Sequence, residues 1–336
     1  MTTLAVLGSS KEREALVRCM GKRYALTDIA LYEVERKGHT LTLIDPVGYP
    51  DSFKALMAAL GLADGVVFCV PPTGLDRVAG EQLIAMSVLS MGGIVAYTHE
   101  NTSSGVLERT AEETRKVLRR TPLEGAPEAY ISTTTHEGMN ELWEKIDGLC
   151  DALSARNASK RDEPTRVVVD QAFNVRGVGC VVLGVVRAGG VSVHDRLTVY
   201  PLEREVEVRS IQIHDRNVKS APAGSRVGLA LKGIQPNAIE RGFLISEEET
   251  LTAHPTLVYE PAPFGREVSD GDVVHLFSNL QAVPMRVKGV QMGEPKTLTG
   301  RLETRYGIAY RQDDVVLVAS LDAHPQRVVA GAHITH

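Results

Sequence analysis

The pattern of apolar residues changes once along this chain, near residues 154–166, and that change constrains the fold more than any other feature. Before it, short apolar runs alternate with amphipathic stretches. Residues 4–8 form an apolar run, and the stretch 11–21 follows at once with Ala15, Leu16 and Cys19 on one helical face. Residues 40–45, 64–72, 93–100 and 128–133 read as further strands, and 51–61, 74–92, 103–120 and 138–153 as helices. Such alternation predicts a parallel sheet covered by helices on both faces. Ser154 to Arg166 is small, polar and charged, and reads as a linker. Beyond it the helical period disappears, and short Val-rich segments are separated by Gly, Pro and Asp turns, the pattern of small antiparallel barrels. The expected fold class is α/β plus all-β. The expected domains are an α/β domain at 1–158, a β-barrel at 162–250 and a second β-barrel at 254–336.

A chain of 336 residues is too long for one ordinary core, in keeping with that division. The four cysteines, Cys19, Cys69, Cys150 and Cys180, are scattered without zinc-like spacing, so a reducing compartment and buried thiols are expected. No apolar run reaches the length of a membrane span, and no signal peptide stands at the start. A cytoplasmic monomer with no membrane partner is expected. The net charge of −5 argues against indiscriminate coating of nucleic acid. Residues 161–336 nevertheless hold 16 Arg among 20 Lys+Arg. The planar fork of Arg suits phosphate, so a local RNA face is compatible with this bias, as is plain decoration of exposed strands.

The stretch from Val167 to Pro201, with Asp170, Gly177, Gly179 and Val193-His194-Asp195, resembles the opening of the second domain of EF-Tu. It is closer still to that of the selenocysteine-specific elongation factors. The likeness continues through Ala223-Gly224-Ser225-Arg226-Val227 and Ile239-Glu240-Arg241-Gly242, and more weakly through residues 313–334. The implied fold is a GTPase-like domain followed by two barrels, as in P-loop-less archaeal relatives of those factors.

In such a first domain a P-loop needs glycines to wrap phosphates, a Lys for the β- and γ-phosphates and a hydroxyl for Mg²⁺. The chain offers Gly8, Ser9, Ser10, Lys11, Glu12, Arg13 and Glu14, one residue short and without Gly-Lys-Ser/Thr. Two acids stand where phosphate charge would arrive. Little room remains between Gly21 and Thr27 for a loop that senses the γ-phosphate. Asp45-Pro46-Val47-Gly48 keeps the form of the switch-two motif, with Tyr49 in the place of the family's catalytic His. Thr98-His99-Glu100-Asn101 replaces the guanine-reading run, His99 standing for Lys and Asn101 for Asp. An amide cannot accept both guanine donors as a carboxylate does. The expectation is a pseudo-GTPase: no enzyme, no catalytic residue, no metal, and no GTP or Mg²⁺ cofactor.

The resemblance also implies a pocket for an aminoacyl group and terminal adenosine, lined by Asp170, Gln171, Phe173, Gln212, His214 and Arg226. Gln212 and His214 are two apart on an expected strand and would share one face. Asp170 would accept from the α-amino group, and Phe173 would stack. Lys54 and Arg241 match contacts to the tRNA 5′ end. Gln171 stands where selenocysteine factors carry a second Arg, which disfavours selenocysteine and leaves a non-standard amino acid open. The implied function is a translation factor that binds aminoacyl-tRNA without a working GTPase, with the ribosome as a further partner. A divergent GTP-hydrolysing factor and a ribosome- or protein-binding regulator with no tRNA role are the alternatives.

Overall fold

The computed structural model describes residues 2–37, 39–100, 102–324 and 326–335, with the backbone alone at His39. It divides into two compact units, Met1–Leu153 with His324–Val328, and Ser154–Ala323 with Val329–His336.

The first unit is built on β1 (Thr2–Gly8), α1 (Ser10–Met20), β2 (Lys22–Leu26), β3 (Ala30–Arg36), β4 (His39–Asp45), α2 (Phe53–Leu62) and β5 (Gly65–Val70). There follow α3 (Arg77–Val88), β6 (Gly93–Thr98), α4 (Ser104–Leu118), β7 (Glu128–Ile131) and α5 (Met139–Ser159). The seven strands are ordered β2-β3-β4-β1-β5-β6-β7. β1, β4, β5, β6 and β7 run parallel, and β1 and β5 are buried along their whole length, as strands covered on both faces must be. The sheet is not all-parallel as the alternation predicted. Residues 22–36 form a hairpin that adds β3 antiparallel to β4, and β2 antiparallel to β3, at the edge. The stretch between Gly21 and Thr27 is therefore strand, entered directly from the end of α1.

The expected linker is corrected too. α5 runs on through Ser159 and the next strand begins at Arg166. Ser-Ala-Arg-Asn-Ala-Ser is polar but helix-tolerant, and Asn157 is buried against Gly224, whose Cβ position would lie 2.4 Å from the Asn157 amide nitrogen.

The second unit begins with β8 (Arg166–Val175), β9 (Gly179–Ala188), β10 (Gly190–Ser192), β11 (Arg196–Tyr200), β12 (Arg204–Ile213), β13 (Arg216–Val218), β14 (Ser220–Pro222), β15 (Arg226–Lys232) and β16 (Leu244–Ser246). The sheet β11-β16-β8-β9-β15-β12 closes through pairing of β11 with β12, giving a six-stranded barrel with β13 at its margin. Alternate residues such as Val167, Val169, Val182, Leu229 and Leu231 fill it. Then come β17 (Thr250–Thr252), β18 (Thr256–Pro261), β19 (Val273–Ser278), β20 (Gln281–Gln291), β21 (Thr297–Leu302), β22 (Ile308–Tyr310), β23 (Val316–Ala319) and β24 (Val328–Thr335). The second closed barrel is β18-β21-β20-β19-β23-β24.

Within this unit the two barrels are joined by charge. Arg166 at the start of β8 donates to Asp314 at 2.6 and 2.7 Å and to Glu249 at 2.7 Å, while Arg311 lies 3.3 Å from Glu249 and donates to Ser246. Phe243 meets Tyr306 edge to face.

Candidate functional site

In the first unit, the corner where β1 meets α1 is tight. Gly8 adopts φ +99°, and a Cβ there would fall 1.9 Å from the Cys69 carbonyl oxygen, so only glycine fits. A single residue, Ser9, separates strand from helix. The Gly8 N–H donates to Gln82 Oε1 at 2.7 Å, and Gln82 Nε2 donates back to the Gly8 carbonyl at 3.1 Å. Ser9 Oγ donates to Glu12, and Ser10 and Lys11 are exposed.

Beneath this corner lies Arg13, among the largest fully buried side chains in the chain. Its Nε donates to Asp45 at 2.6 Å, Nη1 to the Gly8 carbonyl at 3.2 Å and Nη2 to the Pro46 carbonyl at 3.4 Å. One guanidinium thus ties the end of β1 to the start of the 45–49 segment. Burial pushes the Asp45 carboxyl up, and Arg13 opposes that by holding its charged form.

Gly48 and Tyr49 lie in the loop that follows. The Gly48 N–H donates to the Asp28 carbonyl at 2.9 Å. Tyr49 is buried, with its hydroxyl 2.9 Å from Glu81 Oε2 and 3.0 Å from the Val78 carbonyl. Burial and the neighbouring Glu81 push the phenol up, so it is a donor and not a base. Glu81 is gripped by Arg327, whose backbone N–H donates to Oε1 at 2.8 Å and whose guanidinium donates to both oxygens. Arg327 also donates to the Pro50 carbonyl at 2.9 Å and lies over the rings of Tyr49 and Phe53, 5.4 and 5.1 Å from their centroids. Arg327 belongs to the late segment that is part of this unit.

Of the guanine-reading run, His99 lies 3.9 Å from Glu137, and Asn101 is outside the described residues. Glu100 accepts hydrogen bonds from the Ser132 hydroxyl and from both the backbone N–H and hydroxyl of Thr133. Burial raises its carboxyl, but the bonds from Thr133, Thr134 and Ser132 prevail and hold it at about 2. Gln82, Glu81 and Arg327 were not named from sequence, and Arg13 and Glu100 only as members of the two altered motifs, with no role of their own. The available signal was Arg13, a charge at a helix position spaced with the buried Leu16 and Val17.

In the second unit the structure brings Asp170, Arg226 and Arg241 together. Asp170 is the extra residue of a β-bulge, since Val169 pairs with Gly184 and Gln171 with Leu183. The bulge turns its side chain inward, leaving 1% exposed. Arg226 opens β15 and donates from Nη2 to Asp170 Oδ2 at 2.8 Å. Backbone bonds from Gly242 N–H to the Val169 carbonyl and from Val169 N–H to the Phe243 carbonyl, both 2.9 Å, set Arg241 beside β8. Its Nη2 lies 3.1 Å from Asp170 Oδ1.

Gln171 and Phe173 are exposed on β8. Gln212 is exposed on β12 and donates to Asn217 Oδ1 at 3.0 Å across the hairpin with β13. His214 is not on that strand as expected: β12 ends at Ile213, and His214 and Asp215 both take positive φ in the turn, so the two-residue alternation stops short of it. Lys54 is exposed in the first turn of α2, in the first unit. Among the described residues no cluster of three or more His, Cys, Asp or Glu could hold a metal ion.

No protein-family model matches the chain. An uncharacterized protein of Methanocaldococcus jannaschii is 30% identical over 290 residues, covering 84% of this chain and 86% of that protein. The selenocysteine-specific elongation factor of the same organism is 30% identical over 234 residues. The chain belongs to the SelB/EF-Tu-like family of translational GTPases. SelB of Methanococcus maripaludis, solved with the GTP analogue GppNHp, aligns with a TM-score of 0.83 at 23% identity, over 99% of this chain and 78% of that one. The bacterial selenocysteine-specific factor EF-Sec aligns at 0.84 and 21%, over 99% and 58%. Against the M. jannaschii elongation factor, this SelB/EF-Tu-like chain spans 49% of the relative's length. The α/β unit and paired six-stranded barrels are the architecture of the family. No helix among the described residues is long and apolar enough to cross a membrane.

Proposed function

We propose that this chain is a translation factor that binds aminoacyl-tRNA and works without a GTPase cycle. The observation that carries the reading is Arg13. Where a nucleotide-binding relative needs a loop of backbone N–H groups around phosphates, a Lys and a Mg²⁺-binding hydroxyl, this chain has one residue between strand and helix. The space at the strand end is taken by Arg13 and Gln82, and the Gly8 N–H is spent on Gln82. The residues present therefore do not fit GTP and Mg²⁺.

The tRNA half of the reading rests on the basic residues that the family resemblance assigns to RNA. Arg226 and Arg241 stand around one buried carboxylate, and Arg241 offers a partly exposed fork to a terminal phosphate. With Asp170 beside them, the same cluster has an acceptor for the α-amino group that only a charged tRNA carries. Gln171 in place of a second Arg favours a cargo other than selenocysteine. Contact with the ribosome belongs to the same proposal.

Two measurements test it. Calorimetric titration with GTP, GDP and ATP in the presence of Mg²⁺ should give no binding in the micromolar range; micromolar GTP binding would overturn the pseudo-GTPase half. Filter binding of charged and deacylated tRNA pools, followed by sequencing of the retained RNA, should show preference for charged molecules. Equal retention of both pools would remove the tRNA half and favour a ribosome- or protein-binding role for the barrels.

A further inference from the structure

Phe264, between β18 and β19, carries two costs at once. It is 92% exposed, more than any other large apolar side chain among the described residues. It also takes φ +61°, where a bulky residue is an outlier. The Gly265 N–H donates to the Ala262 carbonyl at 3.0 Å, so Ala262-Pro263-Phe264-Gly265 is a β-turn with Phe264 at its third position. A positive φ at that position belongs to a type II turn, which normally takes Gly or Asn there. Pro263 fixes the second position, so a stiff turn holds the ring out. A Gly or Asn would relieve the strain, and any polar residue would relieve the exposure. What the phenyl ring alone adds is a rigid apolar knob, and strain kept at a surface site points to use there.

The charges around the turn indicate the socket. Residues 260–272 hold Glu260, Glu267, Asp270 and Asp272 against one cation, Arg266. Arg266 is taken up by Asp272 at 2.7 Å. Where this segment meets β20, Arg286 and Lys288 add two cations, but Arg286 is matched by Glu303 at 2.7 Å. Glu260, Glu267 and Asp270 are exposed and make no ion pair among the described residues. An acidic rim repels phosphate and attracts a cationic face. Of the partners in the reading above, tRNA and ribosomal RNA are polyanions, and only the proteins of the ribosome can offer such a face.

We propose that the Pro263-Phe264 turn is a docking point for a basic ribosomal protein. The ring enters an apolar socket, and cations at the socket's rim meet Glu260, Glu267 and Asp270. The inference rests on the ribosomal contact in that reading and names the side of this chain that makes it. One aromatic seated in a pocket and ringed by weaker contacts is how a small surface holds a partner.

The experiment pellets the full chain through a sucrose cushion with salt-washed ribosomes from the cells that make it. Phe264→Asn removes the ring and gives the turn a residue suited to its φ, so the thermal midpoint should hold or rise. Its ribosome affinity should fall about tenfold or more, as on loss of an anchoring aromatic, while its affinity for aminoacyl-tRNA stays at the wild-type level. Glu267→Lys combined with Asp270→Lys should weaken ribosome binding too. A benzoylphenylalanine photoprobe at position 264 should cross-link to ribosomal protein. Tighter binding of the double variant, or cross-linking to ribosomal RNA, would mean a polyanionic partner and overturn the proposal. A lowered midpoint in Phe264→Asn would make the ring part of the fold, and overturns it as well. If tRNA binds while ribosome affinity ignores Phe264, the docking point is wrong and the tRNA reading stands. If neither tRNA nor ribosomes bind the wild type, both are wrong.

Discussion

Arg13 and Asp45 form an ion pair of 2.6 Å with only 2% of each side chain exposed. The same guanidinium, a cation buried in the first unit, also donates to the Gly8 and Pro46 carbonyls.

Removing that cation should therefore cost stability. Arg13→Ala strands Asp45 in the core, and a buried pair broken on one side typically costs about 3–5 kcal/mol. The paired replacement Arg13→Met with Asp45→Leu removes both charges and should recover most of the loss. Urea denaturation of the three proteins checks this; a near-neutral Arg13→Ala would show that the pair is dispensable.

The same reasoning applies across the 45–50 segment. Arg327→Ala leaves Glu81, 4% exposed, with the Tyr49 hydroxyl and the backbone N–H of residue 327 but no cation, and should destabilise the first unit by about 3–5 kcal/mol. Tyr49→Phe deletes one hydroxyl and should cost about 1–2 kcal/mol. Hydrogen exchange at residues 45–53 should speed up strongly in the first variant and mildly in the second. Unchanged exchange in Arg327→Ala would mean that the segment is held by something else.

Glu100 gives a pH dependence of definite sign. Its carboxyl is held at about 2, below the 4.5 of an ordinary Glu. A depressed carboxyl contributes stability that is fully present above the ordinary value and is lost as pH falls toward 2. The thermal midpoint of the wild type should fall more between pH 5 and about 2.5 than that of Glu100→Gln, which lacks the titrating group. Parallel curves for the two proteins would count against the assignment.

What the sequence disclosed and what it hid follow physical lines. The core strands β1, β5 and β6 were legible because strands buried on both faces are continuous apolar runs. The edge strand β2 was not, since four of its five residues are exposed and it offers no apolar alternation. The α5 extension hid behind a polar composition that a helix tolerates as readily as a linker. Asp170, Arg226 and Arg241 could be named from the resemblance, but their pairing depends on a bulge that shifts register by one residue, which no motif records. Glu81 and Arg327 lie 246 residues apart, and nothing local in either sequence refers to the other.

Asp170→Asn should separate binding from discrimination. The amide keeps the shape of the side chain but removes the negative charge between two arginines. Affinity for deacylated tRNA should hold or rise a few-fold, while the preference for charged tRNA disappears. Filter binding at two salt concentrations measures both. Retained preference in this variant would show that the α-amino group is read elsewhere.

The charge cluster joining the barrels gives a stability prediction for the second unit. Glu249 is wholly buried and is held by Arg166 and Arg311. Arg166→Ala should cost about 3–5 kcal/mol, more than Arg311→Ala, because Arg166 also serves Asp314 with two bonds. Calorimetry of the two variants tests the order; equal losses would mean the cluster acts as a single undivided charge.

The late segment His324–Val328 bears on the order in which this molecule can be completed. A chain is synthesised from its N-terminus, so residues 1–153 are available to fold long before Arg327 leaves the ribosome. Until then Glu81 has no guanidinium, Tyr49 and Phe53 lack the cation that lies over them, and the acid must remain hydrated or take up a proton. A unit built mainly from residues 1–153 is thus finished by residues made some 170 positions later. A nascent chain cut short before residue 324 would keep an open, wet gap in its first unit, where proteases and chaperones find their substrates.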